Sequence, residues 1–307
     1  MAQPTFKIDF MRYAPVMLAL SGLLVLISVI ALTTRGLNFG VDFTGGTLVE
    51  VQYPAPVELD QVQAALAGRG LDKAIVQYFG TRNEVLVRIP AGAAGSTGEL
   101  SSRVLEALDA GHLGQVALKR VEFVGPQVGD ELVTNASLAL LYAILAIGAY
   151  VAFRFEYRFA FGAIVSLAHD AIITVGFCAL LGIEFDLTVV AAVLTVIGYS
   201  INDTVVIYDR IRENFPRMRK ATTREVINRS VNETMTRTIA TTATVVLALL
   251  PLVLFGGDAI HGFSLAMLIG VLAGVYSTIY VASWSLLPTG LSARDMIPPP
   301  KENAQTP

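Results

Sequence analysis

The 307-residue chain has a single cysteine, Cys178. One thiol cannot close an intramolecular disulfide, and no zinc-site spacing is present. Cys178 falls inside an apolar run, where a thiol packs as a small hydrophobe. Charge is scarce as well. Asp, Glu, Lys and Arg make up 15% of the chain, and a net charge of −3 argues against a nucleic-acid surface. No nucleophile–base–acid set is legible. Gly45-Gly46 precedes a strand and lacks the Lys and the helix of a phosphate-binding loop, so it reads as a tight turn. These absences point away from an enzyme, a cofactor and a metal centre. Without a means of hydrolysing nucleotide, any energy the chain uses must come from an ion gradient.

What is abundant is apolar length. The chain is 54% hydrophobic. Six runs are long enough to cross a hydrocarbon layer of roughly 30 Å. They extend from Ala14 to Leu32, Thr134 to Phe153, Phe159 to Leu181, Leu187 to Tyr208, Thr238 to Phe255 and Phe263 to Leu287. Lys7 and Arg12 precede the first run as in a signal peptide, but the run is too long and no A-x-A-like site follows before Arg35. An uncleaved anchor is expected.

Lys and Arg placement sets the orientation. The N-terminus, the Arg154–Arg158 turn and the stretch holding Arg210, Arg212, Arg217, Arg219, Lys220, Arg224 and Arg229 belong inside. The short loops Gly182 to Asp186 and Gly256 to Gly262 carry no Lys or Arg and belong outside. The expected organisation is a cytoplasmic N-terminus and first span over 1–33, an outer domain over 34–133, a five-helix bundle over 134–290 with a cytoplasmic loop at 209–237, and a disordered cytoplasmic tail over 291–307 containing Pro298 to Pro300.

The outer segment alternates as strands at Thr47 to Tyr53, Ala74 to Phe79, Glu84 to Ile89 and Val116 to Val124. Glu58 to Ala67 and Glu99 to Ala110 have helical spacing. Turns fall at Gly80 to Asn83 and in the glycine-rich Gly92 to Gly98. The order β-α-β-β-α-β is that of a ferredoxin-like fold, with a four-stranded antiparallel sheet and both helices on one face. Inside, Thr222 and Glu225 have capping-box spacing, and the helix that follows is expected to lie at the interface before turning in.

Three features could carry chemistry. Asp203 lies in the fourth apolar run with Ser200, Asn202 and Thr204 as its nearest polar company. It sits roughly 9 Å inside the point where Asp209 and Arg210 re-enter water. A carboxylate there costs about 2.5–3.5 kcal/mol on insertion scales, so function is the default reading and a snorkelling or capping Asp the alternative. Arg237 stands at the mouth of the fifth run, followed by Thr238, Thr241, Thr242 and Thr244. Arg237 and Thr241 share a helix face; packing threonines and a positive-inside anchor are the bland readings. His169-Asp170 sits near the middle of the third run, about 100° apart around a helix, either as functional groups or as a polar tether to a neighbouring span.

Five longer motifs now fall together: FGVDFTGGTLVEV from Phe39, RVEFVGPQVG from Arg120, FRFEYRFAFGAIVSLAHD from Phe153, VIGYSINDTVVIYDRIRENF from Val196 and FSLAMLIGVLAGVYSTIYVAS from Phe263. In this order they resemble the SecF branch of the SecD/SecF family, in the resistance-nodulation-division superfamily, over nearly the whole chain outside the tail. The resemblance implies a subunit of the bacterial protein-export translocase in the inner membrane, with residues 34–133 periplasmic. It implies pairing with SecD, association with YajC and the SecYEG channel, indirect work with SecA, and unfolded exported polypeptide as substrate. Export would draw on the proton-motive force. The family's proton-linked aspartate, arginine and threonine match Asp203, Arg237 and Thr241, with Asn202, His169 and Asp170 as secondary candidates. Asp203 and Arg237 would then lie on facing helices at similar depth, the fifth helix starting near Asn232. A proton-driven small-molecule exporter of the same superfamily is disfavoured by the single small outer domain. A passive translocase scaffold stays open.

Overall fold

A computed structural model describes residues 6–79, 81–91, 97–110 and 116–291. Of the expected Gly80 to Asn83 turn only Gly80 lies outside the described residues, and Thr81 to Asn83 are strand instead, because the pairing continues up to the turn. Most of the Gly92 to Gly98 loop and the tail after Leu291 also lie outside the described residues. The chain opens with helix α1 (Phe10–Thr34), then β1 (Asn38–Phe39), the one-turn α2 (Val41–Thr44), β2 (Gly46–Gln52), α3 (Leu59–Ala67), β3 (Ile75–Phe79), β4 (Thr81–Pro90), α4 (Thr97–Ala110) and β5 (Ala117–Val124). There follow α5 (Pro126–Arg154), α6 (Tyr157–Leu181), β6 (Glu184–Phe185), α7 (Leu187–Arg217), α8 (Thr223–Phe255) and α9 (Asp258–Ser277). A π-helical turn over Thr278–Ala282 continues α9.

Six of these helices (α1 and α5 to α9) are long and apolar enough to cross a membrane. In the most apolar window of α6, α7 and α9, 50–56% of residues are buried, against 11–17% in α1, α5 and α8. The first three are therefore the bundle's centre. The others turn Leu20, Leu23, Leu26, Leu141, Leu145, Leu247 and Leu254 outward, a belt suited to lipid rather than water.

Between apolar helices in lipid, close contact comes from small residues rather than from the hydrophobic effect. Gly270 and Gly274 let α9 lie against α7; a Cβ on Gly270 would sit 2.4 Å from Val196 Cγ2. Ser21 and Ser28, seven apart on α1, are buried, and Ser28 meets Gly176 of α6.

The helices extend beyond their apolar stretches. Pro126 starts α5 eight residues before Thr134, at a position where its missing N–H is no loss. The α7 helix runs through the charged residues to Arg217, and α8 starts at Thr223. The connection between them thus shrinks to 218–222, because hydropathy marks the apolar layer and not the helix end. The Thr222–Glu225 capping box forms, with Thr222 N–H donating to Glu225 Oε2 at 2.7 Å. Its helix does not turn as expected; it runs unbroken past Arg237. Asn228 and Asn232 on its first turns bind the chain before α1: Asn232 Nδ2 donates to the Ile8 carbonyl at 2.7 Å and its Oδ1 accepts from Ile8 N–H at 2.9 Å.

The outer domain is a ferredoxin-like α+β unit. Its sheet order is β3-β4-β2-β5, antiparallel throughout. Val49, Val51, Val85, Val87 and Ile89 point to one face and meet Val62 and Leu66 of α3 and Leu100, Val104 and Leu108 of α4. The alternation that predicted these strands is the burial pattern itself.

A collar joins domain and bundle. β1 and β6 pair in parallel, Asn38 with Glu184 and Phe39 with Phe185. Phe39, Phe43 and Phe185 cluster at ring distances of 5.8–6.2 Å. Gly45 (φ 65°) and Gly46 (φ 137°) make the expected tight turn, and a Cβ on Gly46 would sit 2.4 Å from the Ile89 carbonyl oxygen. The pair therefore also lets α2 tuck beneath the sheet. Asp42 Oδ2 accepts the Leu187 N–H at 3.0 Å. From β4, Arg88 reaches into the collar: Nη1 lies 3.4 Å from Glu184 Oε1, and Nη2 donates to the Phe39 carbonyl and, at 2.8 Å, to Thr44 Oγ1. Gln77 of β3 donates to Glu184 Oε2 at 3.4 Å.

Candidate functional site

Asp203 sits on the face of α7 that α8 covers. Its side chain is buried, 3% exposed, and neither carboxylate oxygen has a hydrogen-bond partner among the described residues. The groups that act on it electrostatically come from α8: the Arg237 guanidinium and the Thr238 hydroxyl. Thr238 is itself buried and faces the carboxylate outside hydrogen-bonding geometry. Arg237 is exposed on the surface of this chain, roughly four turns into α8. Two further buried hydroxyls on these helices, Tyr199 of α7 and Thr242 of α8, also lack partners among the described residues.

Thr241 does not reach Asp203 in this arrangement. Its hydroxyl bonds back to its own helix, to the carbonyls of Arg237 (3.0 Å) and Thr238 (3.1 Å). Asn202 is exposed and turned away from the buried face that holds Asp203. A helix advances about 100° per residue, so the neighbour of a buried residue often points elsewhere.

A second carboxylate lies in the same bundle. Asp170 of α6 is completely buried. Its Oδ2 accepts from Ser200 of α7 at 2.6 Å and from Ser277 of α9 at 2.8 Å. Its Oδ1 meets His169 Nδ1 at 3.0 Å, so the adjacent pair converges despite its angular separation on the helix. Ser166 donates to Ser277 at 3.0 Å. One turn along α7 from Ser200, Thr204 meets Thr278 at 3.0 Å within the π-helical turn. Such turns recur where a helix is reshaped around a site.

The sequence reading missed Thr238 as the threonine facing Asp203, and it missed Ser166, Ser277 and Thr278 altogether. Hydroxyls spaced through an otherwise apolar run were the available signal. The partner of each is set by helix rotation and crossing, which no single run encodes.

The fold and this interior define a polytopic helical membrane protein with one ferredoxin-like domain between α1 and α5 and buried carboxylates held between its helices. The chain belongs to the SecD/SecF family: the family model described as protein export membrane protein SecD/SecF, C-terminal, matches residues 105–290, and the SecD/SecF GG motif matches residues 30–57. The second match covers β1 and α2 of the collar and the Gly45-Gly46 turn. The chain is similar to the protein translocase subunit SecF of Pseudomonas aeruginosa, 48% identical with 95% of this chain and 94% of the relative covered. The SecF subunit of Escherichia coli O157:H7 is 45% identical over 94% of this chain and 90% of its own. Among solved structures, SecDF from Thermus thermophilus, described as a translocon-associated membrane protein, superposes with a TM-score of 0.84 at 36% identity, covering 94% of this chain. This chain spans 40% of that longer one. SecDF in a super-membrane-facing form gives a TM-score of 0.71 at the same identity and coverage, so the two differ in shape rather than in matched sequence.

Proposed function

We propose that the chain is a motor subunit of a Sec-type protein translocase. It pairs with SecD and uses the proton-motive force to promote late steps of protein export. The observation that carries this reading is a buried carboxylate, Asp203, with no hydrogen-bond partner among the described residues and a single arginine acting on it from the next helix. Burying a charge without hydrogen bonds is unfavourable, and it persists where the site uses it. The same features argue against a passive scaffold, which would favour the saturated chemistry seen at Asp170.

The working arrangement has both termini and the 218–222 connection in the cytoplasm and the ferredoxin-like domain in the periplasm. YajC and the SecYEG channel are neighbours, SecA acts earlier on the same substrate, and that substrate is unfolded polypeptide. Asp203, Arg237 and Thr238 form the proton-coupling group, and Thr241 joins when α8 rotates. Arg237 favours the charged form of Asp203, and burial favours the neutral acid. When α8 shifts and carries Arg237 away, the carboxylate takes up a proton, and it releases the proton when the pair re-forms. Each charge crossing 100 mV supplies about 2.3 kcal/mol, enough to bias a two-state helix arrangement by about fiftyfold. The outer domain follows the helices and hinders backsliding of the emerging chain. Arg237, exposed on this chain, is covered by SecD in the complex.

The test is proton flux and export by the SecD complex in vesicles, wild type against Asp203→Asn. Loss of both with the complex assembled is the expected result. Normal flux in Asp203→Asn would overturn the reading.

A further inference from the structure

The outer domain is tied covalently to the bundle at two strands. β2 follows α2 through Gly46, and β5 leads into α5 at Pro126. These two strands are neighbours in the sheet, at one side of the order β3-β4-β2-β5. A body held by two adjacent strands can hinge about them. Its far half, β3 and β4, would be free to lift unless something else holds it down.

Arg88 and Gln77 hold it by polar contacts, beside the packing of β3 on α9 and of β4 on α2. Both stand on the far half and both reach Glu184. Glu184 lies in the hairpin between α6 and α7, the two helices that carry Asp170 and Asp203. The Arg88 side chain is only 14% exposed, and its second terminal nitrogen donates to the Phe39 carbonyl and Thr44 Oγ1. A guanidinium that bonds three groups on separate segments holds their geometry more rigidly than a surface ion pair does. The collar beneath is stiff: Gly46 and Gly129 bring backbone to backbone so closely that a Cβ on either would lie within 2.6 Å of a carbonyl oxygen.

We propose that Arg88 is the coupling residue between membrane and periplasm, transmitting displacement of the α6–α7 hairpin, through Glu184, to the half of the sheet that the chain connections leave free. Arg88 is a positioning residue: it moves no proton and touches no substrate. This inference rests on the ion-driven reading above. It assigns to one side chain the step that turns helix movement into domain movement.

The experiment uses the full chain assembled with SecD in vesicles, measuring proton flux and export of a secretory precursor in the same preparation. Arg88→Met is expected to keep flux within about twofold of wild type while export falls tenfold or more, a slipping motor. Glu184→Gln is expected to slip in the same way. A merely structural Arg88 would lower both readouts by the same factor, in step with the fraction of complex assembled, and that result overturns the proposal. So does unchanged export in both variants. If Arg88→Met fails to assemble, Glu184→Gln decides alone, since glutamine keeps the volume of the side chain and an acceptor for Gln77. Failure of the underlying reading is separable: it appears as normal flux in Asp203→Asn. Failure of this inference appears as flux stopped by Asp203→Asn but lowered together with export by Arg88→Met.

Discussion

Asp170 and Asp203 are two buried carboxylates in one bundle, and they are treated in opposite ways. Asp170 has its oxygens engaged by two serines and a histidine, gathered from three helices. Asp203, three residues along α7 from Ser200, has no such bond among the described residues. Removing a partner from this buried hydrogen-bonded network leaves further groups wanting, beside His169 Nε2, which has no partner among the described residues, so Asp170 holds α6, α7 and α9 in one register. An unsaturated carboxylate does not hold anything; its own state depends on what faces it. The difference separates a fixed centre from the group proposed above as a switch.

The largest effect tests that separation on stability. Asp170→Ala should destabilise the detergent-purified chain by about 3–5 kcal/mol, because it strands Ser200 and His169 and cuts the link to Ser277. Asp203→Ala should change stability by no more than about 1 kcal/mol, because no hydrogen bond among the described residues is lost with it. Thermal melting of the two variants side by side checks this, and equal losses would break the comparison.

Next in size is the effect on function without stability. Arg237→Met should lower proton flux at least tenfold while melting stays near wild type, since the side chain is exposed and holds no buried network. Thr238→Val should lower flux several-fold and Thr241→Val by less than about twofold, because only the first hydroxyl faces Asp203. The reverse order would show that the arrangement with α8 rotated by about 60°, in which Thr241 joins, matters more to flux than the one described.

How much of this could be read from the chain divides along the same line. The cost of Asp203 in an apolar run, the Gly45-Gly46 turn and the alternation of the outer strands are local, and each was legible. Burial of Val49, Val51, Val85, Val87 and Ile89 follows the alternation residue by residue. The collar was not legible, because β1 and β6 are two residues each and lie about 145 residues apart. Nor was the Asp170 network, since its serines are ordinary residues until three helices cross. The lengths of α5, α7 and α8 escaped because hydropathy sees lipid and not helix.

A smaller effect probes the crossing that gathers those serines. Gly270→Ala would place a Cβ 2.4 Å from Val196 and should cost about 1–3 kcal/mol by pushing α9 off α7. Gly198→Ala, on an open face of α7 with nothing within 4 Å, should be neutral or stabilising by up to about 1 kcal/mol. If both alanines were silent in a melting experiment, close α7–α9 contact would not be what fixes the Asp170 register.

The smallest effect comes from a third buried polar group, one that lacks a partner as Asp203 does but titrates far from working pH. Tyr53 in the outer domain is 1% exposed, and its hydroxyl has no partner among the described residues. Burial, reinforced by the nearby charge of Asp109, pushes its pKa from 10.0 to about 12. The fold therefore keeps a proton that the unfolded chain gives up above pH 10, and stability is complete below that point. It falls as pH rises toward about 12, by about 1–2 kcal/mol after allowance for partial solvent screening. Tyr53→Phe should be neutral or slightly stabilising at neutral pH and should remove this part of the alkaline loss. Melting of the full-length protein across that range, with tyrosinate absorbance followed in parallel, reads both. A Tyr53→Phe variant that loses stability with pH as steeply as wild type would show that the hydroxyl finds a partner or water in solution. A lack of hydrogen-bond partners would then not be enough to mark a group as poised, and the case for Asp203 would rest on Arg237 alone.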